Sequence, residues 1–286
     1  AEALARHRWW IALTLLGIAA AAVVPFVLMP FHVRVGQMIL LSTGLGLAWT
    51  LLGGFAGYWS FGHTAFIGLG AFAAGLFEVN ALGTEFMRTD PLLGFALGLL
   101  AGMAACAVAA ALVAWPILRL RGIYFAVAML GVAQVLSELT NSIEAFQGSL
   151  GLVLPRIPAF GLRTEAVFYY LLLIAAVIIL AIAFLVKNAR IGQGLAAMRE
   201  DEDTARMHGV PTESYKITMF VLSAALTGAL GVIYAHSLGY ITTGSVYRTD
   251  FSLNMIVYNL LGGIGTLVGP LIGAAIMVLL TQVVLG

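Results

Sequence analysis

The chain of 286 residues is 62% hydrophobic and only 9% charged, with a mean hydropathy of +1.03. Soluble domains carry about 25% charged residues, so a chain this poor in charge cannot cover a globule in water, and lipid is its natural solvent. A formal charge of +1 without a basic patch argues against nucleic-acid binding, and a single cysteine, Cys106, excludes an intrachain disulfide and a thiolate metal cluster.

At the start, Arg6, His7 and Arg8 precede an apolar stretch from Trp9 to Met29. A signal-peptide core is about 7–15 residues long, so this longer stretch is expected to be a retained first span. A bilayer core about 30 Å thick calls for about 20 apolar residues in helix. Further spans are expected at 36–54, 64–79, 91–115, 123–142, 166–186, 215–235 and 253–285. The 64–79 run is short. The last run is too long for one straight crossing and is interrupted by Gly262-Gly263-Ile264-Gly265 and Gly269-Pro270, which predicts a broken helix, or a short helix followed by a full one. The expected fold is therefore an all-α integral membrane protein, one domain over 1–286, with about eight transmembrane helices and broken or re-entrant segments. Gly94, Gly98, Gly102 and Cys106 recur at helix-packing spacing on the fourth span. Helices in lipid approach closely through small side chains, so this stripe predicts a tight bundle.

Orientation follows from the charges. With a cytoplasmic N-terminus, Arg6, Arg8, Arg119, Arg121, Lys187, Arg190, Arg199, Arg206 and Lys216 face the cytoplasm, and Arg34, Arg88, Arg156, Arg163 and Arg248 face outward. Nine against five runs in the direction of the positive-inside rule.

Two places interrupt the apolar spans with glycine and polar residues: Gly53 to His63, and Asn254 through Tyr258 and Asn259 to the Gly262–Pro270 break. Irregular backbone at membrane depth survives only when buried in protein or lining a cavity, and paired broken segments point to a pathway through a bundle. For Ser60 and His63 two readings stand: a turn at the membrane surface with a satisfied histidine, or a gate element beside a passing solute. Gln134 and Glu138 lie four apart on one face of the fifth span, with Ser137 and Asn141 nearby. Polar residues in spans face the bundle interior or a water cavity, so this stripe is read as facing a pathway, with interhelical hydrogen bonding as the other reading. No phosphate-binding glycine loop, metal-ligand spacing or nucleophile–base pair is present in the sequence, so no enzyme activity is expected.

The polar loop 187–213 carries four consecutive acids, Glu200 to Asp203, between basic residues, while Leu195, Met198, Ala205 and Val210 stay apolar. This predicts a short amphipathic helix at the cytoplasmic face, ended by Gly209 as C-cap before Pro211. A helix lying on headgroups would use cations toward anionic lipid. The mixture of acids and bases suits a protein partner instead.

Four stretches in order resemble one family: Ser60–Phe77 (SFGHTAFIGLGAFAAGLF), Leu118–Val135 (LRLRGIYFAVAMLGVAQV), Ile191–Val210 (IGQGLAAMREDEDTARMHGV) and Leu260–Ala275 (LLGGIGTLVGPLIGAA). Over almost its whole length the chain is similar to the permease subunits of branched-chain amino acid ABC transporters, particularly the LivM type. The loop also resembles the E-A-A-x-x-x-G motif of importer permeases, with Asp203, Thr204, Ala205 and Gly209 in the motif places and two of the first three letters changed. The resemblance implies an ABC importer permease bundle in a bacterial inner membrane. Its implied partners are a second, LivH-like permease, two cytoplasmic ATP-binding subunits, and a periplasmic or surface solute-binding protein. Arg199, Glu200, Asp203 and Ala205 would contact the ATPase, and Gly209 would let the chain turn back toward the membrane, the five together coupling the two subunits. Ser60, His63, Gln134, Glu138, Tyr258 and Asn259 would belong to the translocation pathway. No cofactor is implied for this chain, since ATP and Mg²⁺ belong to the partners.

Two departures bear on the solute. Family members often carry Glu where Gln134 stands, and a GG-x-N-G stretch where this chain reads Gly148-Ser149-Leu150-Gly151. Both changes make the pathway less polar, so besides a branched-chain or hydrophobic amino acid the expected solutes include urea, an amide or an aromatic acid. The rival class is an ion-coupled secondary transporter.

Overall fold

A computed structural model describes residues 17, 21–27, 29–143, 150–158 and 163–284. Helix α1 spans Pro30–Trp49. It begins six residues before the apolar run because Pro30 occupies the first turn, where its missing N–H is no loss. At that end Arg34 and Gln37 bond to Glu165. The helix continues into a π-turn, Thr50–Gly54, in which Phe55 N–H reaches back to the Thr50 carbonyl at 2.9 Å.

An irregular segment, 55–63, leads into α2 (Thr64–Val79), and α3 (Ala81–Thr89) follows after a 75° bend. Helix α4 (Pro91–Ile117) starts where Asp90 Oδ1 accepts from the Leu92 and Leu93 amides. Next come α5 (Ile123–Ser142), α6 (Thr164–Asn188), α7 (Arg190–Glu200) and α8 (Glu202–Met207). Helix α9 (Thr212–Leu238) is followed by the short α10 (Thr243–Val246), α11 (Thr249–Gly262) and α12 (Gly269–Val284). A two-stranded antiparallel ribbon, β1 (Leu152–Val153) and β2 (Tyr240–Ile241), pairs Leu152 with Ile241.

Among the described residues, five helices are long and apolar enough to cross a membrane: Pro30–Gly54, Pro91–Ile117, Ile123–Ser142, Thr164–Asn188 and Thr212–Leu238. The bent α2–α3 pair makes a sixth if taken as one span. The chain is a multi-pass membrane protein. Of the other stretches expected to cross, 9–29 lies mostly outside the described residues, with 21–27 helical.

Within the expected 253–285 stretch, the described residues form a hairpin of α11 and α12. A Cβ on Gly262 would lie 1.8 Å from the Gly269 carbonyl oxygen, and one on Gly273 would lie 1.9 Å from that of Tyr258. Backbones touching at 262/269 and 258/273 run antiparallel. At about 1.5 Å per residue, the 14 residues of α11 reach only part of the way through a bilayer core.

Helix α9 packs most extensively against α4 and α2. The small stripe of α4 makes this close approach. Gly102 faces Val232 and the Gly70 carbonyl, Cys106 faces Gly228, and the Cys106 thiol donates to the Phe66 carbonyl at 3.2 Å. Any side chain at these glycines would drive the helices apart.

Candidate functional site

Four of the six expected pathway residues gather around the last two turns of α1. Trp49 Nε1–H donates to the Ser60 carbonyl at 2.9 Å, which folds the irregular segment back on the helix it leaves. His63 Nε2 lies 2.7 Å from Ser223 Oγ, and Ser223 donates on to the Ala48 carbonyl at 2.6 Å. Asn259 Nδ2 donates to the carbonyls of Gly46 and Met255, and its Oδ1 is 2.7 Å from the Thr50 hydroxyl. One turn earlier, Ser42 donates to the Tyr258 hydroxyl at 3.2 Å. Ser60, His63, Tyr258 and Asn259 are all buried. They knit the irregular segment, α9 and α11 to α1 beside the π-turn. Gly46 permits this, because a Cβ there would meet Pro270 at 2.9 Å.

Gln134 and Glu138 are elsewhere, on the exposed face of α5, where Gln134 Nε2 donates to Glu138 Oε1 at 3.1 Å. Ile123, Tyr124, Val127 and Val135 share that face, which thus mixes apolar and polar groups. Gly148 and Ser149 lie outside the described residues, and Leu150 is exposed.

The polar loop 187–213 forms two helices where one was expected. The break is at Asp201, whose extended backbone (φ −156°, ψ 116°) ends α7 and whose carboxylate accepts from the Thr204 amide at 2.6 Å, capping α8. The Thr204 side chain and then its amide hold the Asp201 carboxyl below the ordinary range. Four adjacent acids look alike in sequence, and only the cap geometry separates them. Helix α8 ends as predicted at Gly209 (φ +82°): Gly209 N–H donates to Arg206 and Val210 N–H to Ala205, a Schellman motif.

The five loop residues expected to serve coupling divide. Glu200 and Gly209 are exposed. The Arg199 side chain turns back to the Gly54 carbonyl at 3.1 Å, at the end of the π-turn. Asp203 is exposed but held by Arg121 through two bonds of 2.9 and 2.8 Å, which keep its carboxyl below the ordinary range. Ala205 is buried. Lys187 reaches the Gly265 carbonyl at 3.1 Å, so the hairpin turn lies at this end of the bundle too.

Glu202, the remaining acid, turns inward. Lys216 Nζ lies 2.7 Å from its Oε1, and the Tyr58 hydroxyl donates to its Oε2. Arg206 approaches at 3.3 Å and Arg121 at 3.7 Å. Burial alone would raise the Glu202 carboxyl, but the hydrogen bonds from Lys216 and Tyr58 outweigh it and hold it below the ordinary range. Burial, and then Glu202, push the Tyr58 hydroxyl well up. Beside this contact is a cavity of about 450 Å³, lined by Tyr58, Trp59, Phe61, Arg121, Ile123 and Glu202 among others.

A second buried acid–base pair was not foreseen. Glu78 Oε2 lies 2.9 Å from His236 Nε2, with side chains 0% and 1% exposed. His236 Nδ1 faces the Val232 carbonyl, which can only accept, so that nitrogen carries a hydrogen. One proton is then shared between Nε2 and Oε2, whichever atom holds it. Glu78 Oε1 has no partner. Phe95 packs edge-on against the imidazole, and Gly98 leaves the room for the carboxyl group. The two residues are 158 apart in sequence and each stands near the end of its helix, so no periodic signal joins them. Among the described residues, no cluster of three or more His, Cys, Asp or Glu stands ready for a metal.

The family profile described as branched-chain amino acid transport system / permease component matches residues 31–286. The high-affinity branched-chain amino acid permease protein LivM of Salmonella typhimurium is 26% identical over 283 residues, covering 89% of this chain and 64% of its own length. A protein named probable branched-chain amino acid permease LivM from Methanocaldococcus jannaschii is 26% identical over 83% of this chain and 77% of its own. The autoinducer 2 import permease LsrC of Yersinia pseudotuberculosis is 32% identical over a shorter stretch, 38% of this chain and 32% of its own. No solved structure matches. The chain spans 64% of the length of the Salmonella LivM protein. With the match running over nearly all of its length, the chain belongs to the permease-component family of branched-chain amino acid transport systems.

Proposed function

We propose that this chain is the membrane-spanning subunit of an ATP-driven importer in a bacterial inner membrane. In this reading it works beside a second, related permease, two cytoplasmic ATP-binding subunits and a solute-binding protein that delivers the cargo. The observation that carries the reading is the folded loop 187–213, a rigid projection at the end where Arg121, Lys187, Arg199, Arg206 and Lys216 collect. Its tip presents Glu200, Met207, His208 and Gly209 outward, with Met207 85% exposed. Acids and bases mixed on a braced projection suit a protein partner better than anionic headgroups. Glu200 and Gly209 would meet the ATP-binding partner directly, while Arg199, Asp203 and Ala205 fix the tip to the bundle. ATP and Mg²⁺ would bind the partner alone.

The solute is a small organic molecule, and the relatives' names favour a branched-chain or hydrophobic amino acid. The autoinducer 2 relative keeps other solutes in view, among them urea, an amide or an aromatic acid. The exposed α5 face with Gln134 and Glu138 would line the pathway against the second permease. Ser60, His63, Tyr258 and Asn259 would stand behind it, holding the irregular segments in place.

In proteoliposomes containing the complete complex, solute-loaded binding protein is expected to stimulate ATP hydrolysis and uptake without any ion gradient. Gly209→Trp and Asp203→Arg are expected to abolish uptake while the chain remains folded in the membrane. Normal uptake with both changes removes the coupling assignment. The buried Glu78–His236 pair favours one rival, an ion-coupled carrier, because intramembrane acid–base pairs serve proton relays. Uptake that collapses with the proton gradient while ATP is present would favour that rival.

A further inference from the structure

We propose that Lys216, Glu202 and Tyr58 form a positioning linkage that carries movement of α7 and α8 into the irregular segment 55–63 and so sets the shape of the adjoining cavity. The proposal rests on the reading that an ATP-hydrolysing partner grips the 187–213 loop.

Three elements distant in sequence meet at one ammonium group. Lys216, at the foot of α9, is 4% exposed. Its Nζ lies 2.7 Å from Glu202 Oε1, 3.2 Å from the Tyr58 hydroxyl and 3.3 Å from the Leu118 carbonyl at the end of α4. Lysine has three N–H donors, so every one is engaged. Tyr58 closes the triangle by accepting from Lys216 and donating to Glu202. A loop serving only as a docking surface has no need of a buried cation, whose desolvation is costly unless geometry and hydrogen bonding are complete. Here they are complete, and the contact fixes α8 against α9 and Tyr58 in a single arrangement.

From Tyr58 the path continues through the backbone. Gly57 (φ +77°) packs on the Arg199 side chain, with its Cβ position 3.3 Å from Arg199 Cγ. On the other side, Trp59 meets Trp49 edge-on at 6.2 Å, and Trp49 holds the Ser60 carbonyl. Arg199 grips Gly54 in parallel. The α7–α8 unit thus holds the 54–60 stretch at Gly54, Gly57 and Tyr58, while α1 holds Ser60, and a shift of that unit moves Tyr58 and the adjoining Trp59, two walls of the cavity of about 450 Å³. Glu202 is a third wall. Packed side chains and hydrogen bonds of this sort have discrete arrangements and transmit displacement.

The test is the ratio of solute imported to ATP hydrolysed by the complete reconstituted complex. Lys216→Met is expected to lower that ratio by about tenfold, the scale of a typical coupling free energy, while the ATP-binding subunit still co-purifies and hydrolyses ATP. Tyr58→Phe keeps the lysine–glutamate pair, so it serves where Lys216→Met fails to fold, and it is expected to lower the ratio by less. The charge swap Glu202→Lys with Lys216→Glu is expected to recover part of the loss. An unchanged ratio in Tyr58→Phe and in folded Lys216→Met overturns the linkage. So does loss of co-purification in either variant, which makes the contact a docking prop. If the native chain joins no ATP-hydrolysing partner at all, the importer reading fails first, and that outcome is visible before any variant is made.

Discussion

The two ends of α9 solve the problem of a buried charge in opposite ways. At its foot Lys216 and Glu202 share a crowd: Tyr58, Arg206, Arg121 and the Leu118 carbonyl all contribute. Twenty residues further on, about 30 Å of helix and so about one bilayer core away, His236 has a single ionisable partner, Glu78. That partner keeps one carboxyl oxygen with no hydrogen bond. The foot is open to solvent on its rim, so extra donors can gather there. The head is sealed by Phe95 and by the glycine side of α4, which admits nothing more. A network tolerates the loss of a member, and a sealed pair does not.

The largest effect expected from this contrast is at the head. His236→Leu leaves Glu78 without a partner for either oxygen, and loss of about 3–5 kcal/mol is expected, read as the unfolding midpoint in detergent. Glu78→Met combined with His236→Leu should recover most of it, because replacing a whole buried pair by apolar groups is often neutral. Failure of the double variant to recover would mean that the pair fixes the α2–α9 register beyond its own energetics.

Gly98→Val comes next. Its Cβ would fall 2.2 Å from Glu78 Oε1, and overpacking of that kind costs about 1–3 kcal/mol. Full stability in this variant would show that the head is roomier than its contacts indicate.

The smallest effect is at the foot and concerns pH. Glu202 has its native carboxyl pKa lowered, so the fold binds the deprotonated form more strongly than the unfolded chain does. Its contribution is complete above the ordinary glutamate value of about 4.3 and disappears only as pH falls through the lower native value. Hydrogen-exchange protection of the α8 amides, corrected for intrinsic rates, should stay flat from neutral pH down to about 4.5. A loss of protection already near pH 6 would contradict the network.

The sequence disclosed the spans because apolar length is a composition signal that tertiary structure cannot reverse. The expected 123–142 and 64–79 stretches coincide with α5 and α2. Gly209 was legible for a similar reason, since only a glycine followed by proline suits that turn. Sidedness was not legible. In a uniformly apolar helix nothing separates a face toward lipid, partner or core, so Gln134 and Glu138 read much like Ser60 and Asn259, although the first two are exposed and the others buried. Long-range pairs such as Glu78–His236 and Lys216–Tyr58 were hidden because each residue is polar for reasons supplied by another helix.

The hairpin of α11 and α12 has a consequence for biogenesis. The 14 residues of α11 are too few to cross a bilayer core alone, and α11 is in backbone contact with α12 at Gly262 and Gly273. Their outer sides are greasy, with Leu260, Leu261, Ile272, Ile276 and Leu279 exposed. A segment of 14 residues is expected to settle in lipid only once α12 and α1 are there to pack against it. Nascent chains halted before Gly269 are therefore expected to keep α11 accessible from the aqueous side, and protection of α11 in such chains would show that it inserts without its partner arm.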